Sequence, residues 1–156
     1  MIEAERLIRL LALRKQRLVT AESCTGGLLG KLLTDVPGAS AVYLGGVISY
    51  AYEVKETLLG VEPGLLAQKG AVCPEVACQM AQGARERLHS DFAISTTGNA
   101  GPGADPMNPN VGEIYVGIST EKETRTYSLQ LKGDREENRL ECCRLALQHL
   151  WEMLHD

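Results

Sequence analysis

Three side chains in the first third of the sequence have the types that a hydrolytic site needs. Ser23 opens the run Ser23–Gly27, which predicts a tight turn between a short apolar strand and a helix. Tyr50 and Lys55 lie five residues apart, where a second apolar run passes into a helix. A serine hydroxyl needs a neighbouring base, and lysine serves when burial or a nearby cation lowers the pKa of its amine. The tyrosine phenol would relay the proton or orient the other two groups.

Each of these residues also has a different interpretation. Ser23 or Thr25 would cap the following helix, as both residue types often do. Lys55 would be an exposed helical residue and Tyr50 a ring of the interior. Alternatively, Cys24 would be the nucleophile, since a thiol near a helix N-terminus can have a lowered pKa. The spacing alone leaves these alternatives open.

Other catalytic arrangements find less support in the sequence. The histidines fall near predicted helix ends or in the C-terminal tail, which disfavours a Ser-His-Asp triad: His89, His149 and His155. Cys73 and Cys78 have no second close pair of ligands to complete a tetrahedral zinc site. We therefore expect neither a metal ion nor a cofactor.

Two glycine-containing segments have backbone N–H groups suited to binding a ligand. Those of Cys24–Gly27, at a predicted helix start, would meet an oxyanion or a phosphate. Residues 98–110 contain three glycines and three prolines, which excludes regular structure and predicts a functional loop. This loop lacks a Walker lysine and a following helix, so alone it is a weak phosphate signal. Gly45 and Gly46 predict a bulge or a close backbone approach in the second strand.

The order of predicted elements, α-β-α-β-α-α-α-β-β-β-α, brings these segments together. It predicts one three-layer α/β/α domain over residues 1–156, with helices on both faces of a mixed sheet. Helices over 52–59 and 63–69 are predicted as surface connections. The first two strands should be parallel. Ser23, Tyr50 and the 98–110 loop would then follow strand ends at one sheet edge, where such folds bind ligands.

The composition limits the partners and the cellular compartment. The 156 residues carry a net charge of −4, which repels polyanions, so we expect no nucleic-acid binding. The five cysteines suggest no complete disulfide framework, which favours a reducing compartment. Residues 1–17 lack a signal-peptide core and are too short to span a membrane. We expect a cytoplasmic protein without membrane association, and a two-fold homodimer as the default.

Two motifs resemble the CinA C-terminal domain family, the nicotinamide-nucleotide amidases. They are Ala-Glu-Ser-Cys-Thr-Gly-Gly at 21–27 and Thr-Gly-Asn-Ala-Gly-Pro-Gly at 97–103. Segments 35–40, 70–72 and 133–135 are also similar, so the resemblance covers nearly the whole chain. It implies hydrolysis of the carboxamide of nicotinamide mononucleotide, a small nucleotide, to nicotinate mononucleotide and ammonia in pyridine nucleotide salvage.

The resemblance also implies roles for individual residues. Ser23 would attack the amide carbon, and Lys55 would take its proton with help from Tyr50. The implied substrate-binding residues lie in the two glycine-containing segments, the second strand and the last helix: Cys24, Thr25, Gly26, Gly27, Gly46, Gly98, Asn99, Ala100, Gly101, Arg135 and Arg139.

The sequence departs from the family pattern at several of these places. Tyr52 stands where the family has asparagine, which makes it a rival for the role of Tyr50. Asn99 replaces an aliphatic residue, residues 104–105 interrupt the glycine run, and 109–112 replace a basic residue followed by Pro-Val-Gly. These changes bear on substrate recognition. They also keep open a non-catalytic nucleotide-binding or assembly domain of the same fold.

Overall fold

Five strands form one mixed sheet in a computed structural model that describes residues 1–156. The strands are β1 (Leu18–Glu22), β2 (Tyr43–Ile48), β3 (Phe92–Gly98), β4 (Glu113–Ser119) and β5 (Thr124–Gln130). Their order across the sheet is β2-β1-β3-β4-β5. β1 is parallel to both neighbours, whereas β4 is antiparallel to β3 and β5. The predicted parallel pairing of the first two strands is confirmed, and three strands end at the same edge.

Six helices cover the two faces of this sheet. They are α1 (Ile2–Arg14), α2 (Leu28–Thr34), α3 (Tyr52–Leu59), α4 (Pro63–Lys69), α5 (Pro74–Arg87) and α6 (Arg135–Met153). One hydrophobic core of 22 buried residues joins α1, α2 and α6 to the sheet, and a second of 12 joins α3, α4 and α5. The predicted three-layer α/β/α architecture is confirmed. None of the helices is long and apolar enough to cross a bilayer.

The inner strand β1 is buried on both faces along its whole length. Leu18 packs into the first core, whereas Val19 and Ala21 pack into the second. Successive side chains of a strand point to opposite faces, so a strand between two helical layers has few exposed positions. The residue that follows β1 therefore starts from a rigid support.

The two glycines of β2, Gly45 and Gly46, lie at a bulge and at a close approach to β1. Leu18 pairs with Tyr43 but Val19 pairs with Gly45, so Leu44 is an extra residue and the predicted bulge is confirmed. A Cβ atom on Gly46 would lie 2.2 Å from Thr20 Oγ1. Only glycine therefore fits the close approach of β2 to β1.

Two local features position side chains for the site. Asp134 and Glu137 form a capping box, which starts α6 at Arg135. The helix α3 lies at the surface, as predicted, and exposes Glu53, Thr57 and Leu58. Its other side is buried, because Lys55 is 0% exposed and Leu59 is 2% exposed. Their spacing of four residues places both on the buried side of the helix.

Candidate active site

Ser23 lies directly after β1, held between the ends of its two neighbours. Its backbone N–H donates to the Thr96 carbonyl at 2.9 Å, and the Ser49 N–H donates to the Glu22 carbonyl at 2.7 Å. The ends of β1, β2 and β3 are thus joined by main-chain hydrogen bonds around a nearly buried serine. The position of its hydroxyl is set by the sheet.

The Lys55 amine is buried against this hydroxyl. Its Nζ lies 2.8 Å from Ser23 Oγ, 2.6 Å from the Ser49 carbonyl oxygen and 3.1 Å from the Tyr50 carbonyl oxygen. Burial lowers the pKa of Lys55 to about 8. A neutral amine has two N–H donors and one lone pair; the two carbonyls take the donors, which leaves the lone pair for the serine proton. The alternative of an exposed Lys55 is wrong.

The Glu22 carboxylate caps the start of α2, a role that the sequence analysis does not predict. Glu22 is 2% exposed, and its carboxylate accepts hydrogen bonds from the N–H groups of Leu29 at 2.8 Å and Gly30 at 3.0 Å. It also accepts the Thr25 hydroxyl at 2.6 Å. A carboxylate at a helix N-terminus satisfies its free amides and its positive end. The positive end of α2 therefore faces Glu22, so the N–H groups of Leu29 and Gly30 are not free to meet a ligand.

Main-chain donors nevertheless remain beside the dyad of Ser23 and Lys55. The N–H groups of Cys24 and Ala100 donate to no protein acceptor, and both residues line the same cavity as the dyad. Thr25, Gly26 and Gly27 belong to the turn but do not line this cavity. The sequence thus indicated the correct turn, and Cys24 is its residue at the cavity wall besides Ser23.

A cavity of about 320 Å³ opens in front of the dyad. That volume is at the lower end of the range for small-molecule sites. Its walls come from the Ser23 turn, from α3, from Ala71 and Val72, from residues 97–105 and from Arg135. The three segments expected at one sheet edge therefore converge. Ala71 and Val72 also line the cavity, although the sequence analysis does not predict a site role for them.

The hydroxyl groups of Tyr50 and Tyr52 form hydrogen bonds with side chains outside the dyad. Tyr50 is 63% exposed, and its hydroxyl lies 3.4 Å from Nη2 of Arg135; Lys55 contacts its carbonyl instead. The Tyr52 hydroxyl donates to Asp105 Oδ2 at 2.6 Å. Burial, reinforced by Asp105, raises the pKa of Tyr52 to about 12. Neither phenol is hydrogen-bonded to Ser23 or Lys55.

Asn99 organises the loop that follows β3. It is 4% exposed, and its Nδ2 donates to the carbonyls of Asn108 at 2.9 Å and Asn110 at 3.0 Å. Its Oδ1 accepts the N–H of Asp105 at 2.8 Å. The residue lines the cavity, as do Gly98 and Ala100, but its amide is engaged within the loop.

The two arginines of α6 lie in different surroundings. Arg135 lines the cavity and donates from Nη1 to the Gly101 carbonyl at 2.8 Å, so Gly101 acts as an anchor outside the lining. Arg139 donates to the Thr25 carbonyl at 2.8 Å, and its buried Nε has no partner. It lines an adjoining depression of about 400 Å³, which it shares with Arg135. Gly46 borders neither space.

The Cys24 thiol belongs to the hydrophobic core. The residue is 5% exposed and is part of the cluster beneath α1, α2 and α6. A hydrogen bond from Cys142 is the main cause that lowers the pKa of Cys24. All five cysteines are free, and none of the three histidines lines the cavity.

Comparison with known proteins places this arrangement in a family. The family described as the CinA C-terminal domain matches residues 2–154. The chain belongs to this family. The expectation drawn from the motifs at 21–27 and 97–103 is therefore confirmed.

Relatives and solved structures agree with this assignment. The chain is 45% identical over 147 residues to a protein of Halothermothrix orenii named as competence-damage inducible, covering 94% of this chain and 36% of that protein. A namesake from Caldanaerobacter subterraneus is 46% identical over 151 residues, covering 96% and 35%. The chain thus spans about a third of the length of these curated relatives.

The crystal structure of the competence damage-inducible protein A of Klebsiella pneumoniae superposes with a TM-score of 0.95. Its sequence is 31% identical, and the match covers 99% of this chain and 96% of that one. The fold is therefore that of solved CinA family structures. The names of these relatives refer to competence and damage induction and state no reaction.

Proposed function

We propose that this chain is a serine amidohydrolase that converts nicotinamide mononucleotide to nicotinate mononucleotide and ammonia. The observation that carries the proposal is the buried Lys55 amine, 2.8 Å from Ser23 Oγ and held by two carbonyls. Membership of the CinA C-terminal domain family supports the substrate through the resemblance described above. This chemistry needs no metal ion.

The reaction would proceed through an ester on Ser23. Neutral Lys55 accepts the hydroxyl proton as Oγ bonds to the amide carbon. The N–H groups of Cys24 and Ala100 are suited to stabilise the oxyanion. The carbon–nitrogen bond then breaks, and the Lys55 ammonium gives its proton to the departing nitrogen, which leaves as ammonia. Water, deprotonated by Lys55, cleaves the ester and regenerates Ser23.

We place the nucleotide phosphate at Arg135, with Arg139 in the adjoining depression as a further cation. A guanidinium donates two parallel N–H groups to a phosphate, which favours this pairing. Tyr50, beside Arg135 at the cavity mouth, would contact the nucleotide through its phenol and support Lys55 through its carbonyl. Gly98 and Ala100 would form the wall against which the nucleotide lies.

Ammonia release from nicotinamide mononucleotide tests the proposal. Ser23→Ala is expected to lower the rate by about 10³-fold or more, because the nucleophile is lost. Ser40→Ala, at an exposed serine outside the cavity, should leave the rate unchanged. Equal rates for the unaltered protein and Ser23→Ala would remove Ser23 from the mechanism.

Two other outcomes identify the alternatives. Nucleotide binding without turnover in the unaltered protein would favour the non-catalytic domain. Loss of activity in Cys24→Ala with a normal fold would favour a cysteine hydrolase. We expect Cys24→Ala to remain active, because the thiol is buried in the core. We also propose a cytoplasmic homodimer, and sedimentation equilibrium of the purified chain tests the dimer.

A further inference from the structure

Asp105 is the only acidic side chain that lines the cavity of the dyad. Its own N–H donates to Asn99 Oδ1 at 2.8 Å, and its Oδ1 accepts the N–H of Met107 at 3.0 Å. Its Oδ2 accepts the Tyr52 hydroxyl at 2.6 Å. These hydrogen bonds join the loop to α3 and fix the carboxylate at the cavity wall before a ligand enters.

The hydrogen-bond partners of this carboxylate are all neutral. No basic nitrogen lies within 4.0 Å of it, whereas lysines and arginines form six ion pairs elsewhere in the chain. A carboxylate accepts stronger hydrogen bonds than a neutral group does, and both oxygens of Asp105 accept one. Partial burial of an unpaired charge nevertheless opposes folding. The negative charge of Asp105 is therefore not balanced by any cation of the protein in contact with it.

Arg135 supplies an unpaired charge of the opposite sign to the same cavity. Its guanidinium donates to the Gly101 carbonyl and lies beside the Tyr50 hydroxyl, and no carboxylate lies within 4.0 Å. Besides the Lys55 amine of the dyad, the cavity wall thus has one fixed anion and one fixed cation, which complement a dipolar ligand. Nicotinamide mononucleotide is dipolar, because its pyridinium ring is cationic and its phosphate is anionic.

We propose that Asp105 makes the site selective for amides carried on a cationic ring, an inference that rests on the amidase function proposed above. The carboxamide carbon must meet Ser23, so the attached ring lies in the part of the cavity that Asp105 and Tyr52 line. The field of the carboxylate extends to the dyad: burial lowers the pKa of Lys55, and Asp105 acts in the opposite direction. A neutral ring of the same shape gains nothing from this charge.

Calorimetric binding to the Ser23→Ala protein tests this selectivity without turnover. The two probes are nicotinamide mononucleotide and its reduced form, which keeps the carboxamide, ribose and phosphate but has a neutral ring. We expect the oxidised form to bind at least about tenfold more tightly. Adding Asp105→Asn, which removes the charge and keeps one of the two acceptor oxygens, should weaken the oxidised form about tenfold and the reduced form less than about twofold. Asp35→Asn, at the far end of α2, should change neither.

Equal affinity of the Ser23→Ala protein for the two probes would overturn the proposal whether or not the Asp105 variant folds. Equal weakening of both probes by Asp105→Asn would also overturn it. Ammonia release by the unaltered protein is scored separately. Selective binding without ammonia release would refute the proposed amidase function and support the proposed role of Asp105. Ammonia release without selective binding would support the amidase function and refute the role of Asp105.

Discussion

The turn at 23–27 and the loop at 99–112 follow neighbouring parallel strands and border the same cavity, but different forces hold them. Two sets of hydrogen bonds fix the turn. The first joins the main chains of the strand ends, and the second is accepted by the buried Glu22 carboxylate. Side-chain amides within the loop, chiefly that of Asn99, fix the loop. The turn is thus part of the core, whereas the loop is held by its own side chains and by anchors from Tyr52 and Arg135. In the proposed mechanism the turn supplies the nucleophile, whereas the loop supplies the Ala100 N–H and most of the contacts that would select the substrate.

The largest effect is expected from Lys55→Arg, which tests the turn side of the comparison. Arginine keeps the positive charge and the donors, but it stays protonated at every working pH and cannot accept the serine proton. We expect kcat for ammonia release to fall by about 10³-fold. Lys132→Arg, at an exposed lysine, is the matched control. An active Lys55→Arg protein would show that Lys55 holds Ser23 without acting as a base.

Glu22→Ala tests whether the turn is anchored in the core. The change leaves the N–H groups of Leu29 and Gly30 and the Thr25 hydroxyl without their acceptor. We expect the free energy of unfolding to fall by about 3 kcal/mol, measured by urea denaturation. Glu121→Ala, in the exposed hairpin turn, should cost little. A loss below about 1 kcal/mol for Glu22→Ala would mean that other contacts hold the turn.

Much of this architecture could be predicted because it depends on local patterns. Alternating and helical spacing indicates the elements, and Asp134 with Glu137 has the spacing of a capping box at the start of α6. The bulge followed from Gly45 and Gly46. Strand-end topology then brought the Ser23 turn and the glycine loop to one edge. These inferences need only neighbours in the sequence and general rules of sheet connection.

The remaining features depend on contacts that no local pattern records. Glu22 caps a helix that begins six residues later, whereas sequence rules look for the cap at the preceding residue. Charged residues rarely occupy buried positions, so the sequence alone favours an exposed Lys55. In the fold, Lys55 shares a buried face of α3 with Leu59, four residues later. Tyr52 and Asp105 are 53 residues apart. Only the folded chain shows that two departures from the family pattern are bonded to each other.

The pH dependence of activity should follow the Lys55 amine. Its pKa of about 8 lies below the ordinary 10.5, so the base is protonated as the pH falls below about 8. We expect kcat/KM to fall about fivefold between pH 8 and pH 7, and to level off above about pH 9. A flat profile from pH 6 to 9 would contradict a lysine base.

The lowered pKa of Lys55 also predicts that the free energy of unfolding depends on pH. Between about pH 8 and 10.5 the unfolded chain holds a proton on Lys55 that the folded chain lacks. The contribution of this group to stability therefore rises with pH through that window. Lys55→Met should lack this rise in urea titrations at pH 8 and pH 10. An identical rise in both proteins would show that the Lys55 pKa is not lowered by folding.

Asn99→Leu tests the loop side of the comparison. The substitution removes three hydrogen bonds that close the loop but leaves the strand-end bonds around Ser23 in place. We expect KM for nicotinamide mononucleotide to rise about fivefold to tenfold, with kcat changed less than about threefold. A fall in kcat without a change in KM would show that Asn99 serves the reaction, by positioning the neighbouring Ala100 N–H, and not the binding of the nucleotide.

The smallest effect is expected from Tyr50→Phe. The Tyr50 carbonyl holds Lys55 and is unaffected by the change, whereas the exposed hydroxyl contacts Arg135 at the cavity mouth. We expect KM to rise about twofold to threefold, with little change in kcat, because one weak polar contact is lost. Tyr127→Phe, on the distant strand β5, is the matched control. A fall in kcat of about 10²-fold would instead show that the phenol turns inward in the complex and relays the proton between Ser23 and Lys55.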